Sequence, residues 1–201
     1  RAPPYEDANI GLEIPVFNIR AIPNPDLKSE SSDGFDLGMR WVGTNSGIRM
    51  SLFRTRYTDF IETKIRIGVD PVSGRLLFQS QNLARTVIEG IEAGGHVELQ
   101  GALERFRIDG SFYLARGENR ENGQPLNSVG PAQGIVGLTW HGMNAERQVR
   151  LQGTFTAAWD DRDESGGELF KPAGHGVLDL FYMQRIGKQT MLRAGILNLT
   201  D

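Results

Sequence analysis

Residues 148–159 read Gln-Val-Arg-Leu-Gln-Gly-Thr-Phe-Thr-Ala-Ala-Trp, and this alternation decides the fold class. Val149, Leu151, Gly153, Phe155, Ala157 and Trp159 fall on one face of an extended chain, while Gln148, Arg150, Gln152, Thr154 and Thr156 fall on the other. A strand sorts the two sets; a helical period would scramble them. Working outward, 105–116 repeats the pattern, with Phe106, Ile108, Gly110, Phe112 and Leu114 opposed to Arg107, Asp109, Ser111 and Tyr113. Residues 35–41 do likewise. Further strand-like stretches cover 48–69, 83–99, 133–140, 176–186 and 189–199, making eight strands with a partial ninth expected near the start. Gly at 25 of 201 residues, against a usual ~7%, suits many short connections rather than long helices.

The connections alternate in length. Thr44–Gly47, Gln100–Glu104, His141–Arg147 and Gly187–Lys188 read as short; Asp70–Arg75, Gly117–Ala132 and Asp160–His175 read as long. In an up-and-down antiparallel sheet, successive connections lie at opposite ends. One rim therefore carries tight turns and the other extended polar loops, as in outer-membrane barrels. Strands of ten or more residues match what a tilted strand needs to cross a hydrocarbon core. Trp41, Trp140 and Trp159 stand at strand ends, where an aromatic girdle would sit; large aromatics capping a soluble sandwich would look the same. Polarity alone leaves two architectures open, because a membrane barrel and a lipocalin-like barrel both alternate. A sheet with open edges is not tolerated in lipid, so the membrane reading needs further strands or an oligomer.

Composition removes several function classes. A net charge of −3 leaves no concentrated cationic face for phosphates, so no nucleic-acid partner is expected. Without cysteine there is no disulfide, no thiolate metal site and no cysteine nucleophile. The runs Phe112–Ala115 and Leu180–Met183 are too short for a membrane helix. His96, His141 and His175 are dispersed and form no metal-binding spacing; His175, closing a long loop, is the histidine best placed for ligand contact. No nucleophile elbow, Walker motif or acid/base cluster is present, so neither an enzyme nor a resident cofactor is expected. Asp160–Glu168 begins like a calcium loop, but Pro172 stands where its last carboxylate belongs, which favours a solvated acidic loop. Asn198-Leu199-Thr200 matches a glycosylation sequon inside an apparent strand, where a glycan would not fit. Charges on strands, among them Arg105, Arg107, Asp109 and Arg150, belong on a lumen face; Glu89, in phase with Val87 and Ile91, is a local misfit.

Two boxes near the start carry a resemblance. Arg1-Ala2-Pro3-Pro4-Tyr5-Glu6-Asp7 and Ile22-Pro23-Asn24-Pro25-Asp26-Leu27 resemble the paired F-R-A-P and N-P-[ND]-L boxes of TonB-dependent outer-membrane receptors, in the haem, haemoglobin and transferrin receptor branch. Arg56-Tyr57-Thr58-Asp59-Phe60-Ile61-Glu62, Ala115-Arg116-Gly117-Glu118, Pro125-Leu126-Asn127-Ser128 and Val177-Leu178-Asp179-Leu180 follow in family order. The resemblance implies an all-β chain: an antiparallel up-and-down transmembrane β-barrel segment, about nine strands of a 22-stranded barrel. On this reading 1–201 is a partial C-terminal barrel domain, a fragment lacking the plug, the TonB box and the closing strand.

It further implies Gram-negative outer-membrane localisation and active uptake of an iron complex, haem or haemoglobin iron first. A ferric siderophore is the alternative within the fold, and a passive porin the alternative of another class. Implied partners are the TonB energy-coupling complex, an extracellular haem protein or iron chelate, and outer-membrane lipid. Implied ligand-contacting residues are Arg1, Ala2, Pro3, Asn24, Pro25, Asp26, Leu27 and His175. Receptors of this branch often carry an axial histidine between the boxes. Residues 5–23 contain none, which leaves Tyr5, His175 or residues elsewhere in the longer protein as candidate ligands. The boxes also have a purely structural reading, since prolines end strands and Asn24 and Asp26 favour turns.

Overall fold

The alternating segments become the staves of one curved antiparallel wall. A computed structural model describes residues 1–143, 146–165 and 167–200; Asn144 and Ala145 of the predicted turn, Gly166 of the acidic stretch and Asp201 lie outside the described residues. Eight long strands follow one another: β3 (Ser31–Val42), β4 (Ser46–Val69), β5 (Leu76–Glu98), β6 (Phe106–Asn119), β7 (Gln133–His141), β8 (Arg147–Thr156), β9 (His175–Ile186) and β10 (Thr190–Ile196). Each pairs antiparallel with the next. The sheet is open, a partial barrel. Before it come a short helix α1 (Tyr5–Asn9) and two three-residue strands, β1 (Leu12–Ile14) and β2 (Ile19–Ala21).

Register sorts the wall into two faces. Val97, Ile108, Leu138, Leu151, Leu180 and Ile196 form one unbroken apolar row across six strands. Parallel to it runs Leu37–Leu52–Ile91–Leu114. These side chains are exposed: Leu37 is 58% accessible, Leu52 42%, Leu114 44%. The opposite face carries Arg40, Arg49, His96, Asp109, Thr139, Arg150 and Gln152. Apolar outside and polar inside is the arrangement of a membrane barrel, the reverse of a lipocalin. The soluble alternative therefore falls. Trp41 and Trp140 share the apolar face at the short-turn end.

The outer row beyond Leu52–Ile91–Leu114 is Phe35–Arg54–Glu89–Arg116. Arg54 Nε lies 3.5 Å from Glu89, and Arg116 Nε 3.9 Å from Asp161. Glu89 is thus in its predicted phase and no misfit: the apolar band ends there, and the carboxylate meets the Arg54 cation at its edge.

Several predicted boundaries move. β5 starts at Leu76 rather than 83, β6 runs on to Asn119, and β8 ends at Thr156 rather than 159. Asp70–Arg75, expected as a long loop, is a tight turn at the tip of the longest hairpin, with Gly74 N–H donating to Asp70 O at 2.8 Å. The height on that side comes from strand: Arg54 to Val69 extends β4 by roughly 50 Å beyond the apolar band. The expected partial strand near the start is not a stave, because β2 adds in parallel to the upper edge of β5. The sequon lies past the end of β10, with Asn198 in a left-handed turn at φ 56° and its N–H bonded to Asp179 Oδ1 at 2.9 Å.

Candidate functional site: the crown and the lumen wall

Above the charged row, β4 and β5 leave the wall as a free-standing ladder, and everything packed on it forms the crown. β5 has two neighbours on one edge. β6 pairs with it from Thr86 to Glu98, and above that the edge is taken over by β2, with Ile19, Arg20 and Ala21 opposite Leu76, Leu77 and Phe78. Residues 22–30 then act as a strap that crosses the ladder, because β3 begins at Ser31 opposite Thr58 on the far edge, that of β4.

The two boxes are the fasteners of this strap. Arg1 and Glu30 exchange backbone bonds, Arg1 N to Glu30 O at 2.6 Å and Glu30 N to Arg1 O at 3.0 Å, and Arg1 Nε sits 3.1 Å from the Glu30 carboxylate. Asn24 does most. Its N–H donates to Asp7 O at 2.9 Å, its Nδ2 to Ser80 O at 3.0 Å, and its Oδ1 accepts the Asp26 N–H at 3.1 Å in a local turn. Asn82 of β5 accepts Lys28 N–H at 2.8 Å and returns Nδ2 to Lys28 O at 3.1 Å and to Asp59 O at 2.7 Å. Glu30 Oε2 accepts the Ile61 N–H at 3.1 Å.

Of the predicted ligand residues, the structure brings the boxes together: Arg1 meets Glu30, and Asn24 meets Asp7. Arg1, Ala2, Pro25 and Asp26 are exposed, while Pro3, Asn24 and Leu27 are half-buried. Pro25 rides the turn that Asn24 and Asp26 close. His175 is the first residue of β9 and not part of a loop; it is exposed, opposite Thr156, with Nδ1 3.5 Å from Ala173 O. It is not joined to the strap by any hydrogen bond or ion pair among the described residues.

The two long loops close over the same ladder through a motif whose role the sequence concealed. In Pro125-Leu126-Asn127-Ser128, Leu126 is 2% exposed and packs where Gly117 leaves room. Asn127 Nδ2 donates to Asp163 O of the β8–β9 loop and Asn127 Oδ1 accepts the Asp163 N–H, both at 2.9 Å. Ser128 Oγ donates to Glu62 Oε2 at 2.7 Å. The expected solvated acidic loop is therefore partly tied down: Glu164 pairs with Lys171 at 2.8 Å, which holds the acid below its usual range, and Arg162 lies 4.2 Å over Trp159.

Ile61 and Glu62 are consecutive in β4 and both buried, at 3% and 4%. Because successive strand side chains point to opposite faces, the ladder is covered on both sides at this level, by the strap and by the β6–β7 loop. Burial pushes the Glu62 carboxyl up, with the Asp163 charge adding and the Ser128 bonds opposing. At the tip, Asp70 behaves oppositely. Its Oδ1 accepts the Val72 N–H at 2.9 Å and lies 3.4 Å from the Ser73 N–H, and Arg20 reaches Oδ2 at 3.0 Å. These bonds, the Val72 amide first, pull it down to about 2. Glu13 is bonded by Arg75 and stands 3.3 Å from Arg20, so residues 13–20 are stapled to the tip.

Below the crown, the polar face encloses a concavity of about 800 Å³ lined by Arg40, Arg49, His96, Asp109, Thr139 and Arg150. Arg150 of β8 reaches across β7 to Asp109 of β6, with bonds of 2.6 and 2.8 Å. Gly137 makes the crossing possible: a Cβ there would stand 2.1 Å from Arg150 Nη2. Arg40 and Arg49 face one another in register, without an ion-pair partner among the described residues. The wall is thus charged and polar on this side, and no cluster of three metal-binding side chains occurs among the described residues.

An outward apolar band, a polar lumen wall and a tall crown on one rim define a segment of an outer-membrane-type barrel. The family model described as TonB dependent receptor-like, beta-barrel, matches residues 1–199, and the chain belongs to that family. Among its relatives, hemoglobin-haptoglobin utilization protein B of Neisseria meningitidis serogroup C is 28% identical, over all of this chain and 28% of its own length. Hemoglobin-binding protein A of Haemophilus influenzae is 27% identical, over all of this chain and 22% of its own. The chain therefore spans about a quarter of these relatives. Of solved structures, the copper transporter OprC superposes with a TM-score of 0.81 at 23% identity, covering the whole chain and 30% of that protein. The ferric enterobactin receptor of Pseudomonas aeruginosa gives 0.66 at 19% over 91% of the chain and 27% of its own. At these identities the two structures speak for the fold alone.

Proposed function

We propose that this chain is part of the barrel of a Gram-negative outer-membrane receptor that takes up iron from haem or haemoglobin, energised through TonB. The observation that carries the reading is that relatives named for haemoglobin-haptoglobin utilization and for haemoglobin binding match the whole chain, strap and boxes included. Haem or a ferric chelate is then cargo rather than a resident cofactor. The extracellular partner approaches the crown, outer-membrane lipid surrounds the apolar band, and the energy-coupling complex engages the longer protein. Arg1 to Pro3 and Asn24 to Leu27 act on cargo through the strap they fasten. His175, exposed at the mouth of β9, and Tyr5, exposed on α1, are the candidate axial ligands. The absence of histidine from 5–23 is the one observation favouring a siderophore instead.

The test is growth of an iron-starved, haem-uptake-deficient host carrying the complete gene, with haem, haemoglobin or a panel of siderophores as sole iron source. TonB-dependent rescue by haem or haemoglobin supports the reading. Rescue by a siderophore alone replaces it, and growth independent of TonB points to a passive barrel.

A further inference from the structure

The two most exposed large hydrophobic side chains among the described residues are Val72, at 93%, and Val16, at 90%; Phe17, next to Val16 in the chain, is 69% exposed. They stand on two neighbouring turns at the far end of the crown. Pro15–Phe17 is a single 3-10 turn joining β1 to β2 and closed by Asn18 at φ 54°, while Val72 lies in the tip that joins β4 to β5. The turns are fastened to one another. Asn18 Nδ2 donates to Gly74 O at 3.2 Å, Asn18 O accepts the Leu76 N–H at 2.9 Å, and Arg20 and Arg75 hold Asp70 and Glu13. The bends themselves are made by Pro15, Asn18, Asp70, Pro71 and Gly74, which fix φ, take the left-handed region or bond their own backbone. Neither turn needs Val16, Phe17 or Val72 to be apolar, and water favours polar side chains at such positions.

Position limits what can cover this apex. The hairpin carries it roughly 50 Å beyond the apolar band, out of reach of lipid. The long loops stop lower: Ser128 bonds Glu62 and Glu168 O accepts from Arg66, and among the described residues neither loop makes a hydrogen bond or ion pair with 67–75. Two apposed turns protrude, so they do not enclose a small molecule. The charges beneath them, Arg20 and Arg75 against Glu13 and Asp70, are paired with one another and sum to zero. The apex therefore offers apolar contact without excess charge. Because it is stapled in place, little conformational freedom is lost when it is grasped. A rigid apolar knob that includes an aromatic ring fits an apolar cleft on a folded protein. We propose that Val16, Phe17 and Val72 form the docking knob for the extracellular haem-carrying protein. This rests on the haemoglobin reading above and adds the surface that recognises the protein rather than the haem.

The full-length receptor in detergent is titrated with haemoglobin, alone and complexed with haptoglobin, and growth on free haem is read in the same strains. Val16→Ser, Phe17→Ser and Val72→Ser, made together, should weaken protein binding by about tenfold or more and leave growth on free haem unchanged. Leucine at all three positions keeps the knob apolar and should bind within about threefold of wild type. Heat-modifiable gel mobility establishes that each variant is folded. On intact cells, Val72→Cys in a receptor otherwise free of cysteine should react with a bulky membrane-impermeant maleimide, and bound haemoglobin should block the reaction. Wild type that binds neither protein overturns the proposal, as does undiminished binding in the triple serine variant. Loss of growth on free haem in that variant overturns it too, because the apex then serves haem itself. So does a Val72→Cys thiol that stays unreactive until the receptor is unfolded, since the apex is then covered by the receptor's own chain. Growth of wild type on free haem upholds the uptake reading even where the knob fails.

Discussion

The lumen wall and the crown are continuous through β4 and β5, yet they obey different rules. In the wall, side chains follow strict alternation, one face meets lipid, and hydrogen bonding is almost all inter-strand. In the crown, Asp59 and Lys64 take positive φ at 54° and 58°, the register slips between Glu62 and Ile65, and stability comes from side chains clasping distant backbone. Among the described residues, the buried hydrophobic ones, Ile61, Val87, Ala115 and Leu126, all lie in or just below the crown. The wall needs no such core because the bilayer covers it; the crown stands in water and must bury its own apolar surface.

Breaking the wall should have the largest effect. Gly137→Val drives the Arg150 guanidinium off Asp109 and leaves two part-buried charges apart, at a cost of about 3 kcal/mol. Urea unfolding in detergent should show this as a shift of the whole barrel transition to lower urea, while Gly74→Ala at the hairpin tip leaves that transition in place. In the crown, Leu126→Ala removes a side chain buried in the β6–β7 loop and should cost about 2 to 3 kcal/mol. The damage should stay local: faster protease cleavage in 120–132 and 160–175 with an unchanged barrel.

Asn24→Ala, which strips the bonds to Ser80 O and the Asp26 N–H, should cost about 1 to 2 kcal/mol and release the strap alone. Strap cleavage with unaltered loop cleavage is the expected pattern. If both loosen together, strap and loops form one cooperative unit and the comparison must be redrawn.

The smallest effect sharpens the contrast between Glu62 in β4 and Asp70 at the hairpin tip. Asp70 has its carboxyl lowered from 3.8 to about 2, so what it adds is present above 3.8 and lost as pH falls towards about 2. Glu62 is raised above 4.5, so its contribution is full below 4.5 and lost as pH rises through its folded value. Hydrogen-exchange protection at Val72 and Ser73 should therefore fall on acidification below pH 4, while that at Leu126 and Ser128 rises as pH is lowered towards 4.5 and is level below it.

How far the sequence could be read follows the same division. The periods in 35–41, 105–116 and 148–159 marked wall strands because alternation reports a sheet with two unlike faces. Residues 76–82, Leu-Leu-Phe-Gln-Ser-Gln-Asn, do not alternate, since the strap and the loops cover the ladder there, and so the start of β5 was placed too late. The prolines and Asn24 were legible as turn formers, and the family boxes as landmarks. That Asn24 grips Ser80, or that Ser128 meets Glu62, depends on contacts spanning 56 and 66 residues, which no local pattern encodes.

Sequence alone determined the strand period, the rim that carries the tall side and the family, because each is written in neighbouring residues or in ordered motifs. Tertiary structure decided which face meets lipid, why Glu89 is tolerated, and that the boxes fasten a strap across the β4–β5 ladder. Those outcomes depend on curvature and register, through which residues far apart in the chain come to share one dielectric environment.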